Sequence, residues 1–343
     1  MAWSTRRNLC AYVGHMKQVS IPRSAFAHKL RASWWLEAVA ITLLAAVSSP
    51  AYANADAPIP PKSERAPEIR LADKVVTLPV VMVREFPFIE GSIAGVTGKL
   101  MLDTGMEQAL TVNDHRVPMS GGRTIGTGFF GSGQTFAVRL MPELADIRIG
   151  GLIYPRATAV PTQDARLLEG ITPDFIGWLG HHAFATHALK LDYRNARATF
   201  YKEGEANYLK GERVIAHLPF EIRKLPNHPV MAARIGDMAV VATWDTGQYG
   251  TLYTSEETKA RLLKEGRLTP SPTIPDGFDL HGLQLNGHDM PVVRGITVEI
   301  EPSPAAVPTG ITEPDELAIG YALLHQFKTV WDYQQRRIYL LER

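Results

Sequence analysis

The chain of 343 residues has a single cysteine, Cys10, and it lies in a basic N-terminal stretch rather than in the body of the sequence. A disulfide, a cysteine nucleophile and a thiolate metal site are therefore excluded together for everything downstream. Charge imbalance is missing too: 36 Lys and Arg face 35 Asp and Glu, for a net charge of +1, so no electrostatic field draws the chain to nucleic acid. The apolar run Ala38–Val47 is too short to span a bilayer. Clear helical texture is confined to Ser255–Glu265, with Ser255 placed as N-cap and Gly266 as stop.

What remains is the composition of an ordinary soluble globule, 45% hydrophobic and 21% charged, long enough for a leader plus one large or two medium domains. Arg6, Arg7, Lys17, Arg23, Lys29 and Arg31 precede the apolar run with no acidic residue among them, and Ala51-Tyr52-Ala53 follows it as an A-x-A cleavage signature. Residues 1–53 are thus expected to be an export signal, cut near Ala53 or Ala55. That leaves a periplasmic or secreted protein with no stable membrane insertion. Residues 54–70, with Pro58, Pro60, Pro61 and Pro67 among charges, are expected to be a solvated linker. From Val75 onward short runs rich in Val, Ile, Phe and Thr alternate with Gly and Pro, which predicts an all-β protein of many short strands.

The decisive pattern is an internal repeat. Asp103-Thr104-Gly105 recurs 142 positions later as Asp245-Thr246-Gly247. Gly170-Ile171-Thr172 recurs after 140 positions at Gly310-Ile311-Thr312, Phe175-Ile176-Gly177 after 143 at Ala318-Ile319-Gly320, and Leu191-Asp192-Tyr193 after 140 at Trp331-Asp332-Tyr333. Four ordered matches at nearly one spacing divide the chain into two related halves, 71–211 and 212–343. Each half enters its Asp-Thr-Gly through a predicted hairpin. The first turns over Gly95-Val96-Thr97-Gly98 and the second at Gly236-Asp237.

One Asp-Thr-Gly is an ordinary turn, but a repeated pair has chemical content. Asp just past a strand end carries its carboxylate at a loop tip, Gly lets the backbone turn, and Thr offers a short hydroxyl to fix the loop. Were the halves packed about a pseudo-twofold axis, Asp103 and Asp245 would share one site. Two adjacent carboxylates do not both ionise, so they would hold one proton between them. The ionised member can take a proton from water while the protonated one polarises a carbonyl.

The arrangement resembles the pepsin and retropepsin superfamily, most closely the bacterial retropepsin-like domains, here duplicated in one chain over Val75–Leu341. The resemblance implies a bilobal acid-protease-like fold, two pseudo-twofold-related β-barrel lobes with a cleft between them. It implies an aspartic endopeptidase with Asp103 and Asp245 catalytic, acting on a peptide or unfolded protein as a monomer without metal or cofactor. Thr104 and Thr246 would interlock the two loops, with Gly105, Gly247 and Gln248 in support. Phe175-Ile176-Gly177 and Ala318-Ile319-Gly320 are similar to the elements that thread beside each loop. Gly126–Gly133, with Gly128, Phe129, Phe130 and Gly131, is similar to the flap over the substrate, and Asp276–Gly282 stands in the equivalent place of the second half. Met106 and Gln248 replace the small residues that usually follow the motif; Gln248 can still donate through its amide, whereas Met106 cannot and adds bulk. Those two residues motivate an alternative, a peptide-binding module of weak or no activity that keeps the cleft.

Other features have simpler readings. His181, His182 and His187 lack a carboxylate at ligand spacing, so metal binding is not expected. Asp192 and Asp332 are expected to cap turns, Trp178 and Tyr321 to pack internally, and Glu301–Pro314 to form a long surface loop.

Overall fold

Short β-branched and aromatic runs punctuated by glycine leave the backbone little choice but to pair between strands, and the chain is mostly β, with curled sheets that include a half-barrel. The structure is a computed structural model that describes residues 69–129, 135–154 and 157–343. The expected export signal, nearly all of the expected linker, Phe130 and Gly131 lie outside the described residues. Chain order begins inside the segment that composition assigns to the linker. Ile69 is already in the core and Arg70–Leu71 pairs with Leu152–Ile153.

Two nine-stranded sheets, one from each half, repeat a single order. In the first, Phe86–Ile93, Val96–Leu102, Phe175–Leu179, Thr111–Asn113, Ala157–Gln163, Thr135–Leu144 and Arg123–Phe129 lie side by side. In the second, Val230–Ile235, Met238–Trp244, Glu316–Ile319, Gly250–Tyr253, Val293–Glu299, Phe278–Leu280 and Leu268–Pro270 follow the same path. A third, six-stranded sheet is built from both halves. Ala188–Asp192 pairs antiparallel with Lys328–Asp332 at its centre, flanked symmetrically by Arg197–Tyr201 and Arg337–Leu341, then by Val75–Pro79 and Val214–Pro219. All the described residues belong to one unit, and one apolar cluster, containing Leu102, Leu189, Trp244 and Trp331, runs through both halves.

Several local expectations hold. The helix spans Glu256–Lys264; the Ser255 hydroxyl accepts from the Thr258 N–H at 3.1 Å, and Gly266 takes the left-handed φ of +68° that ends it. Asp192 accepts from the Asn195 N–H and Asp332 from the Gln335 N–H, at 3.0 and 2.9 Å, so both aspartates cap turns. Trp178 is fully buried against Phe175, with ring centroids 4.7 Å apart.

Others are corrected. The first hairpin turns at Ala94–Gly95, both at positive φ, and Val96–Gly98 is already strand. Gly98 is there because a Cβ would run into Ile176 and the Asp174 backbone crossing it. Glu301–Pro314 is not a plain surface loop. It contains the helical turn Ala306–Thr309, and Ile311 is buried with Val230 and Val241, because that sheet face needs an apolar cover. In the second half Asp276 and Gly277 end a turn, while Phe278–Leu280 is the returning strand, paired on both sides. No helix among the described residues is long and apolar enough to cross a membrane.

Candidate active site

Each Asp-Thr-Gly leaves a strand that runs parallel to the strand carrying the second repeat element. Val96–Leu102 lies against Phe175–Leu179, and Met238–Trp244 against Glu316–Ile319. The ladder continues one residue beyond each strand: the Asp103 N–H donates to the Leu179 carbonyl (3.0 Å) and the Asp245 N–H to the Ile319 carbonyl (2.9 Å). The chain leaving each loop, Thr111–Asn113 or Gly250–Tyr253, then pairs antiparallel with the other side of the same central strand. Each aspartate is thus fixed at the end of a three-strand weave.

This pairing moves one assignment made from sequence. The equivalent of Ala318-Ile319-Gly320 is Trp178-Leu179-Gly180, at the same offset of 140 as the flanking repeats, and not Phe175-Ile176-Gly177. Gly180 and Gly320 pass directly over the residues after the two motifs, where a Cβ would strike Met106 or Gln248. The next N–H groups, of His181 and Tyr321, donate to the carbonyls of Met106 and Gln248 at 2.7 and 3.0 Å. Gly177 has a different task. It sits at φ +150° against the Thr111 backbone, at a register break in its strand.

The two loops lock together through their threonines. The Thr104 N–H donates to Oγ1 of Thr246 (2.9 Å) and the Thr246 N–H to Oγ1 of Thr104 (3.0 Å), while the Thr246 hydroxyl donates to the Leu102 carbonyl (2.7 Å). All three bonds are buried and join residues more than 140 positions apart.

The carboxylates meet between the loops. Oδ1 of Asp103 accepts from the N–H groups of Gly105 (2.9 Å) and Met106 (3.1 Å), and Oδ1 of Asp245 from those of Gly247 (2.7 Å) and Gly105 (3.0 Å). The Gly105 N–H therefore serves both acids. Each motif glycine packs on the opposite carboxyl group, so a Cβ on Gly105 would meet Asp245 and one on Gly247 would meet Asp103. Asp103 is 0% and Asp245 4% exposed. Burial, and then the charge and hydrogen bond of Asp245, push the Asp103 pKa well up; burial raises Asp245 as well, against the bonds it accepts from Gly247, Asp103 and Gly105. Both shifts work against two full charges in one site. Oδ2 of Asp103 has no hydrogen-bond partner among the described residues.

Of the supporting residues, Thr104, Gly105, Thr246 and Gly247 all converge here. Gln248 does not act as expected: it is 3% exposed, no hydrogen bond runs from its amide to Asp245, and its Oε1 has no partner among the described residues. Met106 does not fill the site. Its side chain joins an apolar cluster with Phe86, Phe88, Met101, Phe175 and Trp178, and only its N–H reaches the dyad. Gly128 and Phe129 end the strand Arg123–Phe129, which forms a hairpin with Thr135–Leu144; Phe130 and Gly131 lie outside the described residues.

Three residues that were not singled out crowd the site. Asn227 donates from Nδ2 to the Gly105 carbonyl, the Tyr333 hydroxyl donates to the Asn227 carbonyl, and burial together with the charge of the acids raises the pKa values of Tyr333 and Tyr193. Both tyrosines directly follow the turn-capping aspartates of the repeat, which is the sequence signal that marks them. His181, His182 and His228 gather nearby with their Nδ1 atoms unpaired, and burial holds His181 at about 3 and His228 at about 4, so they stay neutral. Among the described residues no group of three or more His, Cys, Asp or Glu is placed to hold a metal ion. No protein-family model matches the chain, and no curated protein matches it.

Proposed function

We propose that the chain is an exported aspartic-type endopeptidase of retropepsin-like fold, its halves 71–211 and 212–343 forming two lobes about a pseudo-twofold axis with a cleft between them. The observation that carries this reading is the convergence of Asp103 and Asp245 from two repeated loops, crossed by the Thr104 and Thr246 bonds. A single proton shared by two carboxyl groups provides a base and an acid at one point. The ionised acid draws a proton from water, the water oxygen attacks the scissile carbonyl carbon, and the protonated acid gives its proton to the carbonyl oxygen. The resulting diol collapses as the carboxyl group that took the water proton gives it to the amide nitrogen, the other carboxylate takes a proton from a diol hydroxyl, and the C–N bond breaks. No covalent enzyme intermediate forms. The substrate is a peptide or an unfolded stretch of protein, the working unit is the monomer, and the basic leader with its A-x-A motif supports action in the periplasm or outside the cell.

The test is hydrolysis of a denatured protein by the chain lacking residues 1–53, with products read by mass spectrometry across acid to neutral pH. Internal cleavage that pepstatin blocks and Asp103→Asn abolishes is expected. A second reading, a peptide-binding module that keeps the cleft, is favoured by the near-complete burial of both carboxylates and by the unpaired Gln248 amide oxygen. That reading requires saturable peptide affinity without products.

A further inference from the structure

The peptide group joining Gly105 to Met106 is held at both ends. Its N–H, on Met106, donates to Oδ1 of Asp103 at 3.1 Å, and its carbonyl, on Gly105, accepts from Nδ2 of Asn227, 122 residues away in the other half. Asn227 is 1% exposed, and its own carbonyl accepts from the Tyr333 hydroxyl at 3.3 Å. Tyr333 in turn directly follows the central-sheet strand Lys328–Asp332. The asparagine is thus anchored to the element that joins the halves. Donation to an amide carbonyl polarises the whole peptide and strengthens the N–H at its other end.

The second loop has no such support. Phe88 pairs with Met101 and Val230 with Thr243, two residues before each aspartate, so Pro87 matches Pro229 and Glu85 occupies the place of Asn227. An ionised carboxylate has no hydrogen to give, and among the described residues no side chain donates to the Gly247 carbonyl. Glu85 instead lies near Tyr249 and Tyr321.

Resting on the aspartic-dyad reading above, we infer that Asn227 is a positioning residue for the pair. Its Nδ2 fixes the Gly105–Met106 peptide so that the Met106 N–H stays on Oδ1 of Asp103, and so stabilises the singly ionised dyad. The titratable groups facing the dyad are the two acids themselves, Tyr193 and Tyr333. His181 and His228 flank the asparagine: the His181 ring lies 4.3 Å from that of Tyr333, and His228 is next in the chain. Loss of the donor weakens the anion, so the lower apparent pKa of the pair moves up.

The experiment compares wild type with Asn227→Ala and with Asn227→Asp, which keeps the shape and loses the donor once ionised. Carboxyl carbon shifts of Asp103 and Asp245, followed by NMR against pH, report the pair without requiring turnover. The pH dependence of kcat/KM reports it in catalysis. The lower apparent pKa is expected to rise by about half a unit in Asn227→Ala and by more in Asn227→Asp, with kcat down about tenfold and KM little changed. Superposable titration curves for wild type and Asn227→Asp would overturn the inference. A wild-type chain that titrates as a pair yet cuts nothing removes the peptidase reading; a shifted curve in the variants then still supports the role of Asn227.

Discussion

Gly247 lies on the carboxyl group of Asp103: a Cβ at that glycine would stand 2.6 Å from both carboxyl oxygens. Gly105 stands in the same relation to Asp245, so each motif glycine is the floor for the other half's acid. Gly247→Ala is therefore expected to push the two loops apart. Overpacking of this kind costs about 1–3 kcal/mol, and a displacement of the reacting groups by a fraction of an ångström to one ångström costs on the order of a hundredfold in rate. Urea denaturation together with a peptide-cleavage assay separates the two effects. Full activity in Gly247→Ala would show that the acids do not work as a pair.

The buried dyad has a linked effect on stability. Both acids have folded pKa values above the ordinary 3.8, so the folded chain binds protons more readily than the unfolded one. Their contribution is present below that value and is lost as pH rises through the raised folded values. Asp103→Asn removes one ionisable partner and keeps the shape. It is expected to be more stable than wild type at neutral pH, by on the order of 1–3 kcal/mol, and no more stable near pH 3. Unfolding midpoints measured from pH 3 to 8 check this; parallel curves for the two proteins would contradict it.

Legibility in the sequence followed the range of the interactions. Asp103-Thr104-Gly105 and Leu191-Asp192-Tyr193 were readable because a strand end and a turn leave local signatures, and repetition multiplied them. The helix Glu256–Lys264 was readable for the same reason, through its cap and its stop. The threading element was misplaced by three residues because Ile176-Gly177 imitates Ile319-Gly320 locally. Its true position, Leu179-Gly180, is set by a parallel ladder to Leu102, which no local pattern encodes. Holding the offset at 140 would have found it. Asn227 was missed because a lone asparagine between Pro226 and Pro229 reads as a turn, and only the match of Pro87 to Pro229 points to it.

The crossed threonine bonds make a coupled pair. Thr104→Val and Thr246→Val each keep the volume and strand a buried N–H of the opposite loop, at a cost of about 1–3 kcal/mol apiece. The double variant is expected to cost less than the sum, because one broken interlock already loosens the other loop. Strict additivity in a double-mutant cycle on urea midpoints would mean that the two loops are held by something else.

The histidines beside the site act on stability with the opposite sign to the acids. Burial lowers His228 from 6.5 to about 4, and burial together with the charges of His182 and His228 lowers His181 to about 3. Below pH 6.5 the unfolded chain takes up these protons first, so stability is complete above that value and falls as pH drops toward 4. The repeat supplies a neutral replacement, since Phe86 occupies the matching position before its own proline and is itself buried. His228→Phe is expected to match wild type at pH 8 to within about 1 kcal/mol and to exceed it by about 2 kcal/mol at pH 4.5. The decisive measurement is the difference in urea midpoint between those two pH values. A gap that does not widen on acidification would mean that His228 takes up its proton in the folded state as readily as in the unfolded one, which a ring this buried, with Nδ1 unpaired, should resist.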